Sequence, residues 1–210
     1  MRLRFSRREV RDLLVAWLAL GVAFTVFLER GLTRAIVEAP ASIDLEVLAI
    51  ALAISLLTAG LGFLLHELAH KVVAVRFGQI AGFRADYSML LLTIFGALVG
   101  FLFAAPGAVY HRGSLTKRQG GLIALAGPVT NMILAGGFFL LLFGFDPSAT
   151  LVGVIAVRGV VINLLLAGFN MIPFGPLDGR TVLDWSTPVF AITFLVTAVP
   201  AAAMLFGVVP

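Results

Sequence analysis

The chain has 210 residues, of which 60% are hydrophobic and only 12% charged, with a net charge of +4 and no cysteine. That composition excludes an ordinary soluble domain, and without thiolates any zinc site must be built from His, Asp or Glu. The fifteen Lys and Arg gather in the N-terminal segment and in short links between apolar runs, which suits membrane topology rather than a nucleic-acid partner.

Five arginines (Arg2, Arg4, Arg7, Arg8 and Arg11) precede the apolar run 13–28. It reads as a retained first helix with its N-terminus in the cytoplasm, in a cell membrane. The link 29–46 contains Pro40 and reads as a short external loop. The run 47–74 then returns inward and carries His66-Glu67-Leu68-Ala69-His70 toward its cytoplasmic end, where Lys71 and Arg76 can snorkel to the surface. Residues 78–88 read as an extended connection. The run 89–105 is apolar but interrupted by Gly96 and Gly100 and closed by Pro106. A basic link, 110–119, includes His111, read as solvated. Further apolar runs follow at 121–145, 150–172 and 185–209.

The expected fold is all-α: a polytopic helical membrane protein with five or six transmembrane helices, forming one domain over residues 1–210. The number turns on 89–105. If this run does not cross, twelve Lys and Arg lie inside and two outside, with Arg158 within a span; if it crosses, the division is eight to six. The positive-inside rule favours five crossings with 89–105 as a re-entrant segment, which must be buried in protein or line a wet cavity.

As a helix, 47–74 puts His66 and His70 on one face at i and i+4. Two neutral imidazoles so placed can share a zinc ion, with Glu67 beside them to take a proton from water. Histidines satisfied by hydrogen bonds in a polar cavity are the plainer reading. Ionisable groups in an apolar helix nevertheless point to function by default.

Catalytic zinc usually has three protein ligands. Asp178 is the carboxylate that stands out, following Pro173 and Pro176, which disfavour regular helix and free backbone groups. It reaches the depth of the histidines only if 89–105 does not cross, so charge bias and metal site select the same topology. Otherwise Asp178 is a turn residue at a helix N-terminus. Asn131, Asn163 and Arg158 lie within apolar runs; interhelical hydrogen bonding accounts for the asparagines, and snorkelling or pairing for the arginine. Gly96-x-x-x-Gly100 is a weak packing signal.

Three stretches together resemble the site-2 protease family of intramembrane zinc metalloproteases: His66-Glu67-Leu68-Ala69-His70, Gly127-Pro128 with Asn131, and Asn170 to Pro173 leading into Leu177-Asp178-Gly179. The resemblance implies Zn2+ held by His66, His70 and Asp178, with Glu67 as the catalytic residue that activates water. It also implies Asn131 and Asn170 as substrate-binding residues. The expected partners are a membrane-protein substrate with a transmembrane helix, and membrane lipid. The competing function is a metal transporter or a non-catalytic metal-binding membrane protein, which has no need of a glutamate beside the first histidine.

Overall fold

The computed structural model describes residues 3–29, 31–102, 106–147 and 149–205. Arg2, Arg30, Ser148, the end of the 89–105 run and the end of the last apolar run lie outside the described residues. In chain order the elements are α1 (Arg7–Leu28), α2 (Leu32–Glu38), a 3-10 turn (Pro40–Ser42), α3 (Leu45–Ser55), a π turn (Leu56–Gly60) and α4 (Leu61–Arg76). Then follow β1 (Ile80–Ala85), α5 (Tyr87–Leu98), β2 (Gly107–Arg112), α6 (Lys117–Leu141), α7 (Leu151–Asn170), α8 (Asp178–Trp185) and α9 (Thr187–Leu205).

Four helical runs among the described residues are long and apolar enough to cross a membrane: Arg7–Leu28, Leu45–Arg76, Lys117–Leu141 and Leu151–Asn170. The polytopic helical architecture expected from composition is therefore present. Apolar surroundings leave each backbone N–H and C=O to be satisfied within the helix, and side chains close the ends. Ser6 caps α1 by accepting from Glu9, Thr150 caps α7 by accepting from Gly153, and Thr116 with Gln119 forms a reciprocal capping box on α6.

The chain divides into two compact units, Phe5–Leu61 with Phe83–Ala108, and Gly62–Gly82 with Val109–Pro210 and Met1–Arg4. In the first, α1 packs against α3, the π turn and α5. The Trp17 indole donates to the Leu56 carbonyl at 3.1 Å, at the π turn, where Gly60 leaves space for the ring. Two carboxylates of α1 are buried but engaged. Glu9 accepts from the Phe83 backbone N–H at 3.1 Å, and Asp12 accepts from the Tyr87 hydroxyl at 2.9 Å and from Arg11.

The run 89–105 is interrupted by a helix stop. Helix α5 starts on Asp86, which accepts from Met89, and ends at Leu98. Gly100 has φ +79°, with Phe101 N–H donating to the Gly96 carbonyl at 2.8 Å and Gly100 N–H to the Ala97 carbonyl at 3.1 Å. That is a Schellman cap, and it needs a glycine in the left-handed position. At ~1.5 Å per residue, α5 is ~18 Å long, well short of a ~30 Å hydrocarbon core. Asp86 N–H donates to the Pro106 carbonyl at 3.0 Å, so the segment returns to the point it left. The two glycines taken as a packing signal thus act in the cap. The extended reading of 78–88 becomes β1, paired with β2 in a two-stranded sheet not foreseen from the sequence.

In the second unit α6 packs on α7 and α8, and α9 on α7 and α8. Its core holds Ala124, Met171 and Val182, with Trp185, Phe190 and Phe194 against them. Lys71 corrects an expectation. It does not snorkel: it is 1% exposed, and its Nζ donates to the Arg4 carbonyl at 2.6 Å. A backbone acceptor close by lets the ammonium stay inside, whereas Arg76 is exposed.

Candidate metal centre

Helix α4 presents His66 and His70 one turn apart, their ring centroids 4.6 Å from each other and their planes at 81°. Both are buried, as is Glu67. The potential ligand atoms of the three lie within 4.8 Å of one another. Asp178 comes from the first position of α8, with its Oδ2 3.2 Å from His66 Nε2 and 3.4 Å from His70 Nε2. The four residues that the sequence singles out for zinc chemistry therefore meet in one place, all within one unit.

Local sequence explains how Asp178 gets there. α7 ends at Asn170, and the stretch with Pro173, Gly175 at φ +59° and Pro176 cannot continue it. Helix α8 then restarts directly on the end of α7. A Cβ at Gly179 would collide with the backbone of Met171, including its carbonyl oxygen, so only glycine allows this seating. Val182 and Met171 are fully buried beneath it, and Trp185 lies where Gly121 of α6 has no side chain.

The outer nitrogens of the two imidazoles are committed. The Nδ1–H of His66 donates to Asn131 Oδ1 at 2.6 Å, and the Nδ1–H of His70 donates to the Ile123 carbonyl at 2.7 Å. Each ring thus carries a proton on Nδ1 and turns Nε2 inward, where the neutral ring presents a lone pair. Asp178 Oδ2 faces both lone pairs and has no hydrogen-bond partner of its own. Three acceptors converging without a donor are unfavourable unless a cation lies among them. A proton on one Nε2 would serve Asp178 but leave the other ring's lone pair unmet, and protons on both would place two buried imidazolium charges side by side against one carboxylate oxygen. One divalent cation satisfies all three lone pairs. Ligands at ~2.0 Å around tetrahedral zinc stand ~3.3 Å apart, which is the spacing from Asp178 to each histidine. Gly127 of α6 completes the fit, because a Cβ there would collide with the Nε2 atoms of both His66 and His70. The donor set fits zinc.

Glu67 is also within reach of the histidines, so two carboxylates compete for the third ligand position. Asp178 is the better placed. On a helix, neighbouring side chains diverge by about 100°, which turns Glu67 off the face shared by His66 and His70. Its Oε2 is buried without a hydrogen-bond partner, as suits a group that meets water or substrate.

The asparagines separate. The sequence points to Asn131 as a substrate contact, but its amide is engaged inside the protein. Its Nδ2 donates to the Gly62 carbonyl at 3.2 Å and to Asn163 Oδ1 at 2.9 Å. Asn170 turns back to its own helix, donating to the Leu166 carbonyl at 2.9 Å, and is half-buried beside the irregular stretch. Asn163, read from sequence as interhelical hydrogen bonding alone, sits one hydrogen bond behind Asn131. A signal for this was available: Asn131 and Asn163 are almost equally far from the turn joining α6 to α7, hence at similar depth.

The chain is 42% identical over 194 residues, 91% of its length and 92% of the relative's, to a protein of Methanocaldococcus jannaschii named "Putative zinc metalloprotease". Proteins with the same description occur in Bacillus subtilis, 35% identical over 143 residues, and in Mycobacterium tuberculosis, where Rip3 is 34% identical over 120. The matches cover 60% and 55% of this chain, and 65% and 26% of those two proteins. No protein-family model and no solved structure matches the chain.

Proposed function

The chain belongs to the site-2 protease-like family of zinc metalloproteases, and we propose that it cuts peptide bonds in or near the membrane-spanning segments of other membrane proteins. The observation that carries this reading is the convergence of two inward Nε2 lone pairs and the Asp178 carboxylate beside an unpartnered Glu67, on a helix long and apolar enough to span a bilayer.

His66, His70 and Asp178 would hold the zinc, the two imidazoles already oriented by Asn131 and the Ile123 carbonyl. When bound, zinc supplies Lewis acidity, polarising a carbonyl and making water acidic enough to be deprotonated near neutral pH. Glu67 takes the proton as the water oxygen bonds to the carbonyl carbon, then delivers it to the amide nitrogen as the C–N bond breaks. Intact helices resist this because their carbonyls are hydrogen-bonded and shielded, so a substrate segment must unwind. Residues 172–176, exposed and irregular between Asn170 and Asp178, offer polar backbone to an unwound strand. Asn170 is the asparagine at the right place to contact it.

We place the N-terminus in the cytoplasm of a cell, with the zinc site toward that side. The short α5 and the charge division of twelve to two support this arrangement. Single cysteines at Ser114 and at Ser148 in this cysteine-free chain are expected to react with impermeant maleimide from opposite sides, Ser114 from the cytoplasm. Reaction of Ser114 from outside would overturn the arrangement.

Co-expression with a panel of single-span membrane proteins tests the activity. The expected result is a shortened product from at least one of them, absent with Glu67→Gln. Products that form equally with Glu67→Gln, or cuts confined to soluble regions far from the spans, would overturn the reading.

A further inference from the structure

One point in the second unit joins three helices through polar atoms in an otherwise apolar interior. Asn163 of α7 is fully buried, and its Nδ2 donates to the Gly159 carbonyl one turn back at 2.9 Å. This bond fixes the direction of its amide and turns Oδ1 toward α6. There Oδ1 accepts one N–H of Asn131, also fully buried, whose other N–H goes to the Gly62 carbonyl of α4. A flipped Asn131 would set its carbonyl oxygen against two other oxygens, so its orientation is dictated from behind. Asn131 Oδ1 is then left facing His66, where only an Nδ1–H can meet it. The close meeting of helices is built in as well: a Cβ at Gly62 would collide with Asn163 Oδ1.

The two metal-facing histidines are thus oriented by different means. His70 leans on the Ile123 backbone carbonyl, whereas His66 depends on a side chain that itself depends on another. We infer that Asn163 and Asn131 form a two-step positioning relay that fixes the ring and tautomer of His66 and thereby sets zinc affinity. The inference rests on His66 being a zinc ligand. It removes Asn131 from the substrate-holding role, because both of its N–H groups are engaged and none remains for a developing oxyanion. Neither asparagine is a catalytic residue; each acts through His66. Outer partners of metal-bound histidines typically contribute ~10–100-fold in metal affinity.

The test uses the full chain in detergent, with zinc affinity measured by competition with a chromophoric chelator, the visible spectrum of the cobalt(II)-substituted protein, and thermal melting. Asn131→Leu is expected to weaken zinc binding by ~10–100-fold and Asn163→Leu by ~10-fold, both with altered cobalt spectra. His66→Ala, measured alongside, is expected to lose zinc. If His66→Ala loses zinc while Asn131→Leu and Asn163→Leu remain folded with parental affinity and spectra, the relay is overturned and the metal site stands. If the leucine variants only lower the melting temperature, interhelical hydrogen bonding is the whole role and the relay is likewise overturned. Parental zinc affinity in His66→Ala overturns the site assignment and the relay with it.

Discussion

Glu67→Gln is expected to retain about one zinc per chain while losing turnover by ~10²–10⁴-fold, the usual contribution of general acid–base catalysis. The substitution keeps the size of the side chain and removes the ability to take up a proton. Zinc is expected to survive because the proposed ligands are elsewhere: the Nε2 atoms of His66 and His70 face the Oδ2 of Asp178 at 3.2 and 3.4 Å. His66→Ala, His70→Ala and Asp178→Ala are expected to lose metal and turnover together, since each leaves two ligands where catalytic zinc uses three. Metal analysis of purified protein and a cleavage assay separate the two classes. Loss of zinc in Glu67→Gln would make Glu67 a ligand and return Asp178 to the role of a helix-terminal turn residue. The same variant distinguishes a transporter, whose metal flux has no need of a proton acceptor at position 67.

The part of the site that lies on one helix was legible, because His66 and His70 are separated by one helical turn and spacing alone puts them on a common face. Asp178 was legible at one remove. Its distance from the histidines depends on how often the chain crosses between them, and the positions of Lys and Arg carry that information. What hydropathy could not reveal is how 89–105 ends. It sums apolar residues, and Phe101 and Leu102 are apolar, but the helix has already closed at Leu98 because Gly100 adopts a left-handed conformation. A backbone dihedral leaves no trace in an average. The buried charges were hidden for a different reason. Asp12 looks like part of a charged N-terminal segment, and Lys71 like a snorkelling cation, until the Tyr87 hydroxyl and the Arg4 carbonyl are found beside them. Partners so distant in the chain are supplied by tertiary packing alone. Asn163 belongs with these, since a lone intramembrane asparagine is ordinary until its neighbour is known to hold a histidine.

Gly127→Ala is expected to weaken zinc binding by ~10–100-fold, with turnover at limiting zinc falling in proportion. The added methyl would collide with the Nε2 atoms of both His66 and His70, the two nitrogens that face Asp178. Neither ring can simply turn away, because their Nδ1 atoms are tied to Asn131 and to the Ile123 carbonyl. Relief must come from displacing α6 or tilting the rings, and overpacking of this kind costs ~1–3 kcal/mol. Metal binding bears that cost, because binding requires both lone pairs at the same point; at 1.4 kcal/mol per tenfold this gives the stated range. Gly136→Ala is the matched control, on the same helix with open space around the new methyl. It is expected to leave zinc affinity unchanged and to raise stability slightly, as alanine loses less backbone entropy than glycine in a helix. Chelator competition on the two purified variants decides the matter. Parental affinity in Gly127→Ala would mean that the metal is not held by the two Nε2 atoms that this methyl would strike, and the ligand role assigned to His66 and His70 would have to be withdrawn.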